Sequence, residues 1–185
     1  MVSLGSQFIK IELKYFYKDY RGIVATSNIG KGDVFVFVPK NGMITLSMAK
    51  QGRIGKKLVE SGANLIYPNN SFLSTYVLTE INDPNSKWKL FIDALPKSVD
   101  NFPIFFSPKE RQMLTGSGFL DQVQDLKDDM EKDYKKICQA APEFKSFGKL
   151  EDFMKTRALV NSRIFGTKID GQDDDSIVPL AGILT

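Results

Sequence analysis

The 185-residue sequence has no histidine and only one cysteine. Without histidine, a Ser-His-Asp or Cys-His catalytic unit and any histidine-bearing metal site are excluded within these residues. With Cys138 alone, so are an internal disulfide and a Cys-rich zinc site. A lone cysteine and no secretory segment ahead of Phe8 point to a reducing compartment, cytoplasmic or nuclear. No apolar run approaches the roughly 20 residues a membrane span needs, so no membrane partner is expected. Charge of one sign is also scarce: 25 basic against 22 acidic residues leave +3. That excess is too mild and too evenly spread to argue for nucleic acid. There is no internal repeat and no low-complexity segment.

What is present is enough apolar material for a sizeable core. The chain is 42% hydrophobic with 14 phenylalanines, and its length fits one domain, or one core with an insertion. Any chemistry must come from carboxylates, tyrosine, lysine, arginine or a bound cofactor.

The hydrophobic period changes along the chain. Ile9, Ile11, Leu13 and Tyr15 alternate with Lys10, Glu12 and Lys14, the period of a half-buried strand. Gly30-Lys31-Gly32 marks a turn. Val34 to Val38 is an unbroken apolar run that predicts a more fully buried strand ended by Pro39. From about Thr45 the period becomes helical. Phe72, Leu73, Tyr76, Val77 and Glu80 share one stripe, and Ser86 to Ile92 predicts a short helix before Pro96. Ser107-Pro108-Lys109-Glu110 carries a cap, a proline at the first helical position and a glutamate that can reach back. Val123, Leu126, Met130, Tyr134 and Ile137 step by three and four, an amphipathic helix with a charged outer face over Asp121 to Lys136. Lys149 to Phe165 predicts the last helix, with Leu150, Phe153, Met154 and Val160 inward. Asp170-Gly171 predicts a tight turn before a strand at Ser176 to Leu180.

Several residues have a plain structural reading. Asp173-Asp174-Asp175 reads as a solvated loop, since the ordered oxygen ligands of a calcium loop are missing. Trp88, the only tryptophan, either lines a groove or anchors a core, and its size favours the anchor. Cys138 reads as a small buried hydrophobe.

Five motifs then recur in one order. They are Tyr20-Arg21-Gly22-Ile23-Val24-Ala25 with Gly32-Asp33, Ser86 to Pro96 around Trp88, Phe102-Pro103-Ile104-Phe105-Phe106, Ser162-Arg163-Ile164-Phe165, and Val178-Pro179-Leu180-Ala181. Together they resemble the SET-domain protein methyltransferases, in the branch with a long helical insertion (Rubisco large-subunit and actin-histidine methyltransferase type). The resemblance implies an α+β fold: small β-sheets split by a mainly helical insertion. Residues 1–44 would be the first part of the core, 45–148 the insertion, and 149–185 the start of the second part. It implies an S-adenosylmethionine-dependent protein lysine or histidine N-methyltransferase with a protein substrate.

By the same resemblance, Asp19, Tyr20, Arg21 and Arg163 are the cofactor-binding positions. The residues themselves leave alternatives open. Positions 19–21 could be no more than a turn between strands. Arg163 could be a helix-end arginine in solvent or paired to Asp170. The family carries Asp where this sequence has Gly182, then an Asn-His pair and a catalytic tyrosine that these 185 residues lack. The expectation is therefore that the stretch alone is inactive, with no catalytic residue of its own and weak cofactor binding. The alternative is a SET-like module that binds a protein partner. Ile177, Val178, Leu180, Ile183 and Leu184 would form an exposed apolar end through which it assembles.

Overall fold

The computed structural model describes residues 5–17, 20–179 and 181–183. The chain divides into two compact units, residues 1–45 with 162–185, and residues 46–161.

The first unit is built of small antiparallel sheets. Strand β1 (Gln7–Phe8) pairs with β4 (Val36–Phe37), and β2 (Ile11–Tyr17) forms a hairpin with β3 (Tyr20–Ala25). Lys10, at φ 61°, breaks the chain between β1 and β2. A third sheet has the order β5 (Ile44–Thr45), β7 (Gln172–Ile177), β6 (Ile164–Ile169). Gly30-Lys31-Gly32 is a turn, closed by Asp33 N–H donating to the Gly30 carbonyl at 3.1 Å.

Two strand expectations change. The alternating segment forms β2, but Leu13 and Tyr15 are 44% and 60% exposed. A two-stranded ribbon offers its apolar positions no facing layer of its own. The run Val34 to Val38 yields only a two-residue strand, and Val34 is 63% exposed. A continuous apolar run records hydrophobicity, and pairing decides whether it becomes a buried strand.

The C-terminal hairpin turns at Asp170 (φ 54°) and Gly171 (φ 80°), the two positive angles that a two-residue loop between twisted strands requires. Asp173, Asp174 and Asp175 are not a loop. They lie in β7, opposite Lys168, Thr167 and Gly166, where a lysine across the ladder offsets an aspartate's poor strand propensity. The strand consequently ends at Ile177 instead of running from Ser176 to Leu180. Ile177 and Val178 are buried, not an exposed end. Leu180, Leu184 and the Ile183 side chain lie outside the described residues. The last helix also stops early, at Asn161, and β6 takes Ile164 and Phe165. Asn161 and Ser162 are weak helix formers, while the following Ile-Phe pair suits a strand with β7 beside it.

The second unit is helical among the described residues: α1 (Leu46–Gln51), α2 (Arg53–Glu60), α3 (Pro68–Ile81), α4 (Lys89–Asp93), α5 (Pro108–Gln112), α6 (Phe119–Ala140) and α7 (Leu150–Asn161). The Ser107–Glu110 capping box forms as its residues predict, with Ser107 N–H donating to Glu110 Oε2 at 2.8 Å. Leu73 and Val77 of α3, Met130 and Ile137 of α6, and Phe153 of α7 are at most 1% exposed. Each such side chain contributes about 1.5–3 kcal/mol of burial. Tyr134, Phe144 and Phe153 form a ring cluster with centroids 5.7–6.3 Å apart. Trp88, 1% exposed, is buried in the helical unit, its indole N–H donating to the Tyr76 hydroxyl at 3.2 Å. Cys138 is buried beside Tyr134, and burial raises its thiol pKa.

Candidate functional site

The predicted cofactor positions fall in the sheet unit. Asp19 lies outside the described residues. Tyr20 and Arg21 open β3, where the register slips: Arg21 faces Tyr15, and Tyr20 faces Tyr17. Gly22 follows, opposite Lys14. A methyl group there would come within 3.2 Å of the Phe16 ring edge, so the glycine keeps the backbone of β3 bare just where the hairpin is irregular.

Arg163 stands between α7 and β6, half-buried. It is neither at a helix end nor paired to Asp170, whose carboxylate accepts from Lys40 Nζ at 2.5 Å. Arg163 Nη1 donates to Ser162 Oγ at 2.6 Å. Its stem lies on Gly182, where an added Cβ would be 3.0 Å from Arg163 Cγ and 3.3 Å from Cδ. Gly182 N–H donates to the Val178 carbonyl at 3.0 Å, closing the turn that brings it there. The structure thus joins two motifs far apart in sequence, Ser162-Arg163 and Val178 to Gly182. The contact holds the Arg163 stem against this turn, and a guanidinium is a group whose geometry suits a carboxylate. The sequence singles out Arg163. What it does not disclose is that Gly182 is the floor beneath it.

The helical unit holds a second polar cluster that sequence reasoning missed. Asp133 of α6 and Arg157 of α7 are 0% and 1% exposed, paired at 3.1 Å. Asp133 accepts from Ile66 N–H at 2.7 Å, Tyr67 N–H at 3.3 Å and Ser71 Oγ at 2.6 Å. Arg157 Nη1 also donates to Ser71 Oγ at 2.7 Å, and its guanidinium lies 5.2 Å from the Tyr67 ring centre. Burial pushes the Asp133 carboxyl up, but the donors from Ser71, Ile66, Arg157 and Tyr67 outweigh it and hold the group below the usual carboxylate range. Its partners all lie within the helical unit, so the cluster reads as a clamp on α3, α6 and α7. Among the described residues, no group of three or more His, Cys, Asp or Glu side chains is placed to hold a metal ion, and no helix is long and apolar enough to cross a membrane.

Comparison with known proteins defines the class first. The chain has the fold of a SET domain. It superimposes on the SET domain of LSMT bound to methyl-lysine and AdoHcy with a TM-score of 0.81 at 24% identity, over 97% of this chain and 41% of that one. Rubisco LSMT bound to AdoMet gives 0.77 at 24% identity, over 95% and 39%. No family model matches the sequence.

Within that class the homologues are protein methyltransferases. The tobacco Rubisco large-subunit N-methyltransferase is 32% identical over 116 residues, 63% of this chain and 22% of its own length. The Arabidopsis fructose-bisphosphate aldolase-lysine N-methyltransferase is 27% identical over 168 residues, 88% and 33%. The actin-histidine N-methyltransferase of Xenopus tropicalis is 32% identical over 110 residues, 60% and 19%. The chain thus spans a third or less of the length of these relatives.

Proposed function

We propose that these residues form part of the cofactor pocket of a SET-type protein N-methyltransferase, whose acceptor is a lysine or histidine nitrogen of a protein. The contact between Arg163 and Gly182 carries this reading. It unites the two C-terminal motifs of the resemblance and fixes one guanidinium. A cation held by its stem suits the carboxylate of a zwitterionic amino acid, the recognition end of S-adenosylmethionine. In this reading Arg163 holds the carboxylate, and the backbone at Asp19, Tyr20 and Arg21 meets the amino-acid end. S-adenosylmethionine, when bound, supplies the methyl group. Ser162 holds the Arg163 head in place, so less side-chain freedom is lost on binding. Residues 1–44 and 149–185 would serve as the two parts of the SET core, with 45–148 as the insertion.

Calorimetric titration with S-adenosylhomocysteine tests the pocket, and methyl transfer to protein from labelled S-adenosylmethionine tests the activity. A stoichiometric site weakened in Arg163→Ala is the expected result. Titration heats identical in the two proteins overturn the assignment of Arg163.

A second reading is a SET-like module that binds a protein partner without catalysis, and Gly182 favours it. The resemblance implies Asp at that position, yet an Asp side chain here would need the Arg163 stem to move, because Cγ lies 3.0 Å from the Cβ position. Under this reading the titration shows no site and the chain co-purifies with a protein. Assembly through the C-terminal end has less support, because Ile177 and Val178 are buried. Light scattering of the purified chain tests it.

A further inference from the structure

The helical unit contains a cleft that the methyl-transfer reading does not use. It has a volume of about 380 Å³ and lies between the α1–α2 junction and the C-terminal end of α3. We propose that this cleft binds a basic side chain, lysine or arginine, presented by a protein partner.

The cleft has apolar walls and an acidic rim. Ile54, Tyr76 and Phe147 supply the walls, with bare backbone at Gly52, and Glu80 and Asp83 supply two carboxylates. Gly52 matters because a methyl group there would press within 3.1 Å of the Tyr76 ring. Both carboxylates are oriented before any ligand arrives. Glu80 Oε2 accepts from Ser86 Oγ at 2.5 Å, and Ser86 Oγ accepts from Trp88 N–H at 3.1 Å. The chain of bonds therefore ends in a tryptophan 1% exposed, whose indole Nε1–H donates to the Tyr76 hydroxyl at 3.2 Å. Asp83 Oδ1 accepts from Asn85 N–H at 2.8 Å. Groups held in this way lose little freedom when they engage a cation.

The charge balance selects the ligand. The lining holds two carboxylates and one cation, Arg53, which lies over the Phe147 ring at 5.0 Å. An anion would meet a net negative lining. Two carboxylates are too few to hold a metal ion unaided. A long apolar stem with a cationic head matches both features, the stem along Ile54 and Tyr76 and the head at Glu80 and Asp83. Arg53 on Phe147 already shows that a guanidinium packs against an aromatic wall of this cleft. The proposal is independent of methyl transfer, because binding is read without any cofactor.

Trp88 supplies the readout. It is the only tryptophan, and its indole N–H is bonded to Tyr76 in the cleft wall. The chain is titrated with the peptides Gly-Gly-Lys-Gly-Gly and Gly-Gly-Arg-Gly-Gly, and with a norleucine version lacking the charge, while fluorescence is followed. Saturable change with at least one basic peptide and none with norleucine is expected. Asp83→Asn, at an exposed position, should weaken binding about tenfold, and Glu80→Gln by as much or more. Amide shifts at Gly52 and Gly55 should accompany binding. If Glu80→Gln disturbs folding, Asp83→Asn decides alone. The proposal is overturned if norleucine binds equally, if Asp83→Asn leaves the affinity unchanged, or if neither basic peptide saturates by about 10 mM.

Discussion

Replacing Asp133 by alanine should be among the most damaging single changes in the helical unit. The substitution leaves the Arg157 guanidinium, 1% exposed, without its ion-pair partner. It also removes the acceptor of Ile66 N–H, Tyr67 N–H and Ser71 Oγ. Truncating one partner of a buried, hydrogen-bonded ion pair costs about 3–5 kcal/mol. A domain of this size has about 5–15 kcal/mol in total, so the variant should be marginal. Urea unfolding followed by Trp88 fluorescence measures the loss in the same unit. The double variant Asp133→Leu/Arg157→Met buries neither charge and should recover most of it. The reasoning fails if Asp133→Ala costs less than about 1 kcal/mol, the value of an exposed pair, or if the double variant loses the sum of the two single losses.

The same group sets an acid limit. Its folded pKa lies below the ordinary carboxylate value despite the opposing effect of burial. The unfolded pKa is about 3.9. The stabilisation is therefore fully present above that pH and is lost as pH falls through the folded value. Asp133→Asn keeps the shape and removes the titration, so this limb of the stability curve should vanish from its pH profile.

Three further outcomes are expected. Arg163→Ala should lower affinity for S-adenosylhomocysteine by about 1.5–3 kcal/mol, the range for a hydrogen bond to a charged group, while leaving the circular dichroism of the helical unit unchanged. Gly55→Ala should destabilise by about 3 kcal/mol or more in urea unfolding, because its Cβ would lie 1.9 Å from the Ala49 carbonyl oxygen, a backbone atom that cannot turn aside. Alkaline titration at the phenolate absorbance band should find Tyr76 and Tyr134 ionising late, each pushed up to about 12 chiefly by burial. Their contribution to stability is present below about pH 10 and lost as pH rises towards 12.

The sequence carried the helical block well because its signals are local. The Ser107–Glu110 cap and the Phe72 to Val77 stripe each specify geometry within a few residues, as does the Asp170-Gly171 turn in the sheet unit. The sheets were harder to read. Val34 to Val38 has the composition of a buried strand, and Ile164-Phe165 directly continues a helical pattern. Their fates depend on partners distant in sequence, β1 for one and β7 for the other. The site was legible to the same degree. Arg163 stood out through its motif, but its support at Gly182 comes from a turn 19 residues away that no local pattern encodes.

The buried clamp had a signal that could have been read. Met130, Asp133 and Ile137 step by three and four, so Asp133 occupies the core-facing register of α6. Arg157 sits three and four residues after Met154 and Phe153, in the core-facing register of α7. One charge among apolar positions on one helix is ambiguous, since a long side chain can reach water past its neighbours. Opposite charges at core positions of two helices are much less so. Neither can be buried alone without a penalty of several kcal/mol, and each relieves the other. The register of the two charges alone therefore predicts that α6 and α7 pack against each other at that level. The donors from Ser71, Ile66 and Tyr67 extend the constraint to the start of α3. An apolar pair would hold the helices as tightly but would tolerate sliding along them. A salt bridge with four donors on one carboxylate has a single register, so the clamp sets how α3, α6 and α7 are aligned.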